Sequence, residues 1–240
     1  MVTGASAGIG KTTSQILSQL GARIILVSRK AEKLNETHKT LAGEGHLVAP
    51  FDFDNASAIE AWFKETVLRV GLLNGLVHCA GTQILRPLKL TSVTETEFLL
   101  RCNVVSGLAL ARAFRQKGFH APQASLVYVS SVMGSVGAPG STAYCASKGA
   151  VHGMVKALAL ELAADDIRCN CVAPGFVRTS MLESVATTLG SEAFAALQKK
   201  HPLGFGEPTD VAHAIAFLLA KTSRWITGTA LVVDGGYTAL

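Results

Sequence analysis

The chain has 240 residues, of which 49% are hydrophobic and 16% charged, and its formal net charge is +5. This length suffices for one domain with a sizeable core, and the low charged content excludes an intrinsically disordered chain. Its Lys and Arg residues are scattered and its apolar runs fall short of the ~20 residues of a membrane span, so we expect no nucleic-acid partner and no membrane partner.

Strand-length apolar segments alternate with helix-length segments along the chain. The predicted strands are 22–28, 46–51, 75–79, 125–130, 167–172 and 230–233. The predicted helices are 9–20, 31–42, 57–70, 95–117, 144–164 and 209–220. This alternation predicts an α/β fold, a doubly wound parallel sheet of the Rossmann type with helices on both faces, in a single domain spanning 1–240. The rhythm breaks at about 178–208, where two short amphipathic helices without a strand indicate a substrate lid.

The first strand is unusually short in the sequence. Only Met1 and Val2 precede the glycine loop, whereas strands average about five to six residues. We therefore expect residues to be missing upstream of Met1, rather than a first strand that is naturally a stub.

A glycine-rich loop, TGASAGIG at residues 3–10, opens the first helix. Glycines let the backbone approach a pyrophosphate, and a helix N-terminus offers free N–H groups and a positive dipole end. A dinucleotide would therefore contact five loop residues, namely Gly4, Ser6, Gly8, Ile9 and Gly10. A plain glycine-rich turn is the alternative.

The residues after the second strand indicate which dinucleotide binds. An acid at this place would bind the ribose 2′-hydroxyl of NAD, but the chain has Ser28 and Arg29, with no acid before Glu32. A hydroxyl and a guanidinium suit a 2′-phosphate. We predict NADP(H) in preference to NAD(H); the alternative is that Arg29 is a solvated turn residue.

Two later strand ends add further cofactor contacts. Asp52, followed by Phe53, is placed to bind the adenine amino group, although it could instead cap the next helix, for which Asn55 is better placed. Ala80 and Gly81 are small enough to let the cofactor ribose pass. The preceding His78 and Cys79 are expected to be core residues, and without a second metal-type cluster we predict no metal site.

Tyr144 and Lys148 are four residues apart on a predicted helix and so share one face. A nearby cation would lower the high pKa of a tyrosine, and Lys148 could also bind the nicotinamide ribose. Tyr144 would then pass a proton to a carbonyl oxygen as hydride arrives from the cofactor. The alternative is an ordinary surface pair.

Other polar and turn residues support the catalytic interpretation. Ser131 closes the preceding strand, where its hydroxyl could hold and polarise a carbonyl. Asn103 lies inside a predicted helix, where asparagine is unfavourable unless buried with partners such as a water leading to Lys148. Pro174 and Gly175 follow the sixth strand at the carboxyl edge of the sheet.

Taken together, these motifs resemble the short-chain dehydrogenase/reductase family over essentially the whole chain. The resemblance implies a seven-stranded Rossmann-type sheet and a catalytic tetrad of Asn103, Ser131, Tyr144 and Lys148. It also implies that the Val177 backbone and the Thr179 hydroxyl meet the nicotinamide carboxamide. Family members are usually tetramers, so a homo-oligomer, tetramer or dimer, is expected, with segment 225–240 near an interface. The sequence His78-Cys79-Ala80-Gly81 departs from the usual Asn-Asn-Ala-Gly.

Within that family the chain is most similar to 3-oxoacyl-[acyl-carrier-protein] reductases, which implies NADPH-dependent reduction of a 3-oxoacyl thioester. A sugar, polyol, steroid or other cyclic alcohol is the alternative substrate, and a catalytically silent dinucleotide-binding protein the remote one. Docking of the acidic acyl-carrier protein is doubtful, because Pro122 and Asp165 replace the expected basic residues. In the lid, Leu182, Val185 and Leu189 form an apolar stripe that either packs on the domain or lines an apolar substrate site.

Five cysteines, an odd number without a Cys-x-x-Cys motif, indicate a reduced protein. No signal peptide is visible at the N-terminus. We therefore expect a cytoplasmic location.

Overall fold

Seven parallel strands form one sheet in the order β3-β2-β1-β4-β5-β6-β7. The structure, a computed structural model, describes residues 1–239, and of Leu189 the backbone alone. The strands are β1 (Val2–Thr3), β2 (Ile25–Val27), β3 (Leu47–Val48), β4 (Leu73–His78), β5 (His120–Val129), β6 (Arg168–Pro174) and β7 (Ala230–Val233). The chain runs outward from β1 in one direction and returns to β4 on the other side, so the predicted doubly wound sheet is confirmed.

Helices cover both faces of this sheet because successive strand residues point to opposite sides. They are α1 (Gly8–Gln19), α2 (Ala31–His38), α3 (Ile59–Val70), α4 (Val93–Leu100), α5 (Ser106–Phe114), α6 (Thr142–Leu162), α7 (Ser180–Leu189), α8 (Ser191–Lys199) and α9 (Pro208–Leu219). On β5, Leu126 belongs to the apolar cluster shared with α3, α5 and α6, whereas Val127 belongs to the cluster shared with α9. No described helix is long and apolar enough to cross a membrane.

The bounds of several predicted elements differ from those observed. The strand predicted over 46–51 is only Leu47–Val48. The helix predicted over 95–117 starts at Val93, because Ser92 and Glu95 form a reciprocal capping box. It is interrupted by a π-helical turn at Arg101–Val105 and ends at Phe114.

The first strand is fully enclosed by its neighbours. Val2 and Thr3 are buried and pair with β2 on one side and with β4 on the other. The two-residue strand therefore holds the centre of the sheet, immediately before the glycine loop.

The predicted lid segment contains α7 and α8, and the residues at its two ends pair with each other. Val177 forms a parallel bridge with Gly206, and Arg178 pairs with Glu207 at 3.0 Å. Of the predicted stripe, Leu182 and Val185 are buried against Phe205. The side chain of Leu189 lies outside the described part of the chain, as does Leu240 in the predicted interface segment.

Candidate active site

A cavity of about 830 Å³ opens at the carboxyl edge of the sheet, where the strand order reverses. It is lined by every residue predicted to bind the cofactor and by three of the four predicted catalytic residues. These are Gly4, Ser6, Gly8, Ile9, Gly10, Ser28, Arg29, Asp52, Phe53, Ala80, Gly81, Ser131, Tyr144, Lys148, Pro174, Gly175, Val177 and Thr179. Asn103 is not part of the cavity wall.

The glycine loop forms one wall of this cavity and leaves no room for a side chain at Gly4 or Gly10. Gly4 adopts a positive φ of 64°. A Cβ at Gly10 would lie 2.3 Å from the Gly4 carbonyl oxygen, so the first turn of α1 can rest on the loop only through glycine. Gly8, Ile9 and Gly10, which begin α1, line the cavity, so this helix N-terminus stands at the cavity wall, an arrangement that fits a pyrophosphate.

The residues that follow β2 and β3 provide polar groups to the cavity wall. The Ser28 hydroxyl oxygen is buried and has no hydrogen-bond partner in the described chain. Arg29 lines the cavity and takes part in none of the ion pairs formed among the described residues. An unpartnered hydroxyl beside an uncompensated guanidinium fits an anionic group such as a phosphate.

Asp52 also borders the cavity, where its carboxylate accepts the Asp54 amide at 3.1 Å. Asn55, predicted as the better helix cap, precedes a short 3₁₀ turn but caps no backbone amide. Its side-chain oxygen accepts the Ser57 hydroxyl at 3.0 Å instead.

Ser131, Tyr144 and Lys148 meet where β5 ends and α6 begins. Ser131 starts a 3₁₀ turn, and its hydroxyl accepts the Met133 amide at 3.2 Å. Tyr144 is buried in the first turn of α6. One turn later, Lys148 Nζ donates to the Val129 carbonyl at 3.0 Å and lies 5.7 Å from the centroid of the Tyr144 ring.

Burial decides the protonation of this pair. It raises the pKa of Tyr144 to about 12, although hydrogen bonding with Ser131 acts in the opposite direction. Burial also lowers the pKa of Lys148 to about 8. The expectation that Lys148 lowers the pKa of Tyr144 is therefore wrong, because the loss of hydration dominates. At neutral pH the phenol keeps its proton and the ammonium its charge, so Tyr144 can act as an acid beside a cation.

Asn103 lies in the π-helical turn, outside the cavity wall. Its side-chain oxygen accepts the Thr82 amide at 2.8 Å, and its nitrogen donates to the Thr82 carbonyl at 2.9 Å and to the Ser147 hydroxyl at 3.0 Å. A Cβ at Gly81 would lie 3.0 Å from the Asn103 oxygen and 3.6 Å from Lys148 Nζ. Asn103 thus joins the chain after β4 to the helix that carries Tyr144 and Lys148.

The unusual His78-Cys79 pair lies where the core meets the cavity. His78 is buried and bonds Thr3 Oγ1 at 3.0 Å and Ser106 Oγ at 3.3 Å. Burial, and secondarily Lys148, lowers the pKa of its imidazole to about 3, so it is neutral. Cys79 packs against the apolar cluster that contains Val77 and Val172, as expected of a core residue, and it also borders the cavity because β4 ends at His78.

The remaining cavity wall is mostly apolar and comes from loops and the lid. Sequence reasoning missed several of its residues, namely Gln83, Cys79, Lys200 and Tyr237. They stand in loops or beyond a helix end, where no periodicity marks them. Within residues 1–239, no group of three or more His, Cys, Asp or Glu side chains could hold a metal ion.

Known proteins include relatives that match nearly the whole length of this chain. A family model described as enoyl-(acyl carrier protein) reductase matches residues 4–238. A 3-oxoacyl-[acyl-carrier-protein] reductase of Mus musculus is 37% identical over 236 residues, covering 98% of this chain and 95% of the relative. Carbonyl reductase family member 4 of Danio rerio is 34% identical, with 100% and 98% coverage. A solved dehydrogenase/reductase from Sinorhizobium meliloti superimposes with a TM-score of 0.87 at 29% identity, covering 98% and 93%.

Proposed function

The chain belongs to the short-chain dehydrogenase/reductase family, whose members are nicotinamide-dependent oxidoreductases, and we propose that it reduces a 3-oxoacyl thioester to the secondary alcohol with NADPH. One observation carries the proposal. Ser131, Tyr144 and Lys148 line the same cavity as the glycine loop and the Ser28–Arg29 pair. A proton donor and a dinucleotide cradle in one cavity are what carbonyl reduction requires.

The cofactor assignment rests on how the residues fit NADPH. The glycine loop and the start of α1 would hold the pyrophosphate, and Ser28 and Arg29 the 2′-phosphate. Lys148 would bind the nicotinamide ribose, while Val177 and Thr179 would meet the carboxamide. When bound, the reduced nicotinamide supplies the hydride that the carbonyl carbon accepts. The buried, unpartnered Ser28 hydroxyl supports the choice of NADPH over NADH.

The protein side chains would manage the proton and the oxygen. The Ser131 hydroxyl donates a hydrogen bond to the carbonyl oxygen and holds it near Tyr144. As negative charge develops on that oxygen, the Tyr144 O–H bond breaks and the new O–H bond forms. The Lys148 ammonium stabilises the phenolate left behind. Asn103 does not touch the reacting atoms and is a positioning residue.

The apolar lid supports an acyl substrate over a sugar. Leu85, Leu182, Val185 and Leu197 line the cavity, and a sugar hydroxyl would find few partners beside them. Docking of an acyl-carrier protein has less support. The nearby Arg115 is paired with Asp165 at 2.6 Å, so its charge is compensated.

Initial-rate assays with acetoacetyl-CoA, comparing NADPH with NADH by loss of nicotinamide absorbance, test this proposal. We expect turnover with a strong preference for NADPH. Preference for NADH would contradict only the proposed roles of Ser28 and Arg29 and would leave thioester reduction intact. Absence of turnover while NADPH still binds would overturn the thioester assignment in favour of a sugar or cyclic alcohol.

We also propose self-association into a dimer or tetramer. Trp225 is 91% exposed and Leu160 81% exposed, and Val105 and Leu108 add apolar surface on α5 and the turn before it. Large exposed apolar side chains are typical of interfaces. Light scattering after size-exclusion chromatography should give two or four times the 25.1 kDa chain mass. A monomer at micromolar concentration would contradict the proposal.

A further inference from the structure

One face of α8, continued by the next residue, forms a wall of the substrate part of the cavity. Ala193, Ala196, Leu197 and Lys200 all line the cavity, and their spacing places them on one helical face. The two alanines leave space beside the helix, and Leu197 keeps that space apolar. Lys200 is solvent-exposed and follows the last residue of α8, so this apolar wall ends in a cation.

Lys200 differs from every other charged residue of the cavity. Arg29, Asp52 and Asp54 follow β2 and β3, on the side assigned to the adenosine part of the cofactor, and Lys148 is buried beside Tyr144. Lys200 alone of the charged cavity residues stands on the lid. None of the ion pairs among residues 1–239 includes it.

The turn that follows Lys200 is joined to the C-terminal segment. The Lys200 amide donates to the Leu197 carbonyl at 3.1 Å, and the Leu203 amide donates to the Gly235 carbonyl at 3.1 Å. The adjacent His201 is buried and stacks on the Tyr237 ring, with centroids 4.6 Å apart and planes at 18°. Lys200 and Tyr237 therefore reach the same cavity from two joined segments, one with an ammonium and one with a phenol.

We propose that Lys200 binds an anionic group of the substrate, a carboxylate or a phosphate, while the carbonyl lies at Tyr144. The inference rests on the proposed carbonyl reduction and adds that the substrate is an anion. An ammonium gives a charge-assisted hydrogen bond to either anion, and the Tyr237 phenol can donate a second one. A lysine at a helix C-terminus also interacts favourably with the helix dipole. Lys199, the last residue of α8, can do this as well, but it does not line the cavity.

The test compares anionic and neutral ketones in matched pairs. Acetoacetyl-CoA carries phosphates, whereas S-acetoacetyl-N-acetylcysteamine presents the same reacting group without charge. Levulinate carries a carboxylate, whereas ethyl levulinate does not. Each is assayed with saturating NADPH in the full-length enzyme, in Lys200→Gln, in Lys200→Arg and in the matched control Lys199→Gln.

We expect Lys200→Gln to raise KM about fivefold to tenfold for an anionic ketone, with kcat within about twofold. KM for its neutral partner should not change, and Lys200→Arg should restore the wild-type value. An effect on acetoacetyl-CoA alone identifies a phosphate, and an effect on levulinate alone identifies a carboxylate. Equal changes for charged and neutral ketones, or the same change in Lys199→Gln, would overturn the inference while leaving carbonyl reduction intact. A wild-type enzyme that reduces none of the four ketones would overturn the proposed thioester reduction together with this inference.

Discussion

The side-chain nitrogen of Asn103 donates to the Ser147 hydroxyl at 3.0 Å, and that hydroxyl in turn donates to the Tyr144 carbonyl at 2.8 Å. The contact joins the π-helical turn Arg101–Val105 to the first turns of α6. Such turns are rare and frequently occur at functional sites. Here the turn brings the Asn103 amide between the loop after β4 and the helix that carries the proton donor.

Replacement of Asn103 by alanine should therefore disturb both stability and rate. Three hydrogen bonds are lost and the partly buried backbone N–H and carbonyl of Thr82 lose their Asn103 partner, so the free energy of unfolding should fall by about 1–3 kcal/mol. We expect kcat to fall about tenfold through misplacement of α6. Ser147→Ala, which removes one of the three bonds, should show a smaller loss in the same denaturant titration. Wild-type stability and kcat in Asn103→Ala would contradict the positioning role.

Arg29→Ala should impair NADPH use selectively. A hydrogen bond to a charged group contributes about 1.5–3 kcal/mol, so KM for NADPH should rise by roughly 10–100-fold. KM for NADH should stay within about twofold, because NADH has no 2′-phosphate. Lys30→Ala is the matched control, since this neighbouring cation does not line the cavity. Equal losses for both cofactors would show that Arg29 supports the fold instead.

Gly10→Ala should abolish cofactor binding, because the added Cβ would meet the Gly4 carbonyl oxygen at 2.3 Å. Relief of this overlap would displace α1 from the loop. Gly153→Ala on α6 meets no atom within 4 Å and should be neutral or stabilising by about 0.5–1 kcal/mol. NADPH fluorescence titration and thermal unfolding measure the two effects. Wild-type NADPH affinity in Gly10→Ala would contradict the proposed pyrophosphate site.

The pH dependence should report Lys148 rather than Tyr144. Burial lowers the pKa of Lys148 to about 8, so its ammonium is charged below that pH and neutral above it. The pKa of Tyr144 is about 12, so the phenol stays protonated throughout this window. We expect kcat/KM for NADPH, which reports the free enzyme, to be level near pH 7 and to fall as pH rises through about 8.

Lys148→Arg distinguishes the two groups, since a guanidinium stays charged over this whole range. Its absolute rate should be lower, because arginine does not reproduce the lysine geometry, but the fall near pH 8 should disappear. A wild-type profile that stays level to pH 10, or a fall that persists in Lys148→Arg, would contradict the assignment.

Much of the sheet could be predicted because its strands are short, apolar and separated by helix-length segments. The glycine loop and the Tyr144–Lys148 spacing likewise predicted a dinucleotide site and a proton donor, whose residues line one cavity at the sheet edge. The division of the helix around Asn103 could not be predicted, since it depends on the long-range contacts with Thr82 and Ser147.

Other features depend on burial, which local sequence does not report. The pKa of Tyr144 rises instead of falling because its environment is desolvated. Cys79 packs against the core as expected but also borders the cavity, which its apolar neighbours in sequence did not indicate. Lys200 and Tyr237 line one cavity because the turn after α8 packs on the C-terminal segment, through contacts between residues distant in sequence.

The central claim is that Tyr144 gives the proton in an NADPH-dependent carbonyl reduction. The most direct measurement compares wild type and Tyr144→Phe for acetoacetyl-CoA reduction and for NADPH affinity in the same preparations. Tyr128→Phe, which loses a buried phenol that donates to the Gly107 carbonyl at 2.8 Å outside the cavity wall, controls for structural damage. We predict that Tyr144→Phe lowers kcat by about 10²–10⁴-fold with NADPH affinity within about twofold of wild type. A Tyr144→Phe enzyme that keeps more than about a tenth of the wild-type kcat would contradict the account.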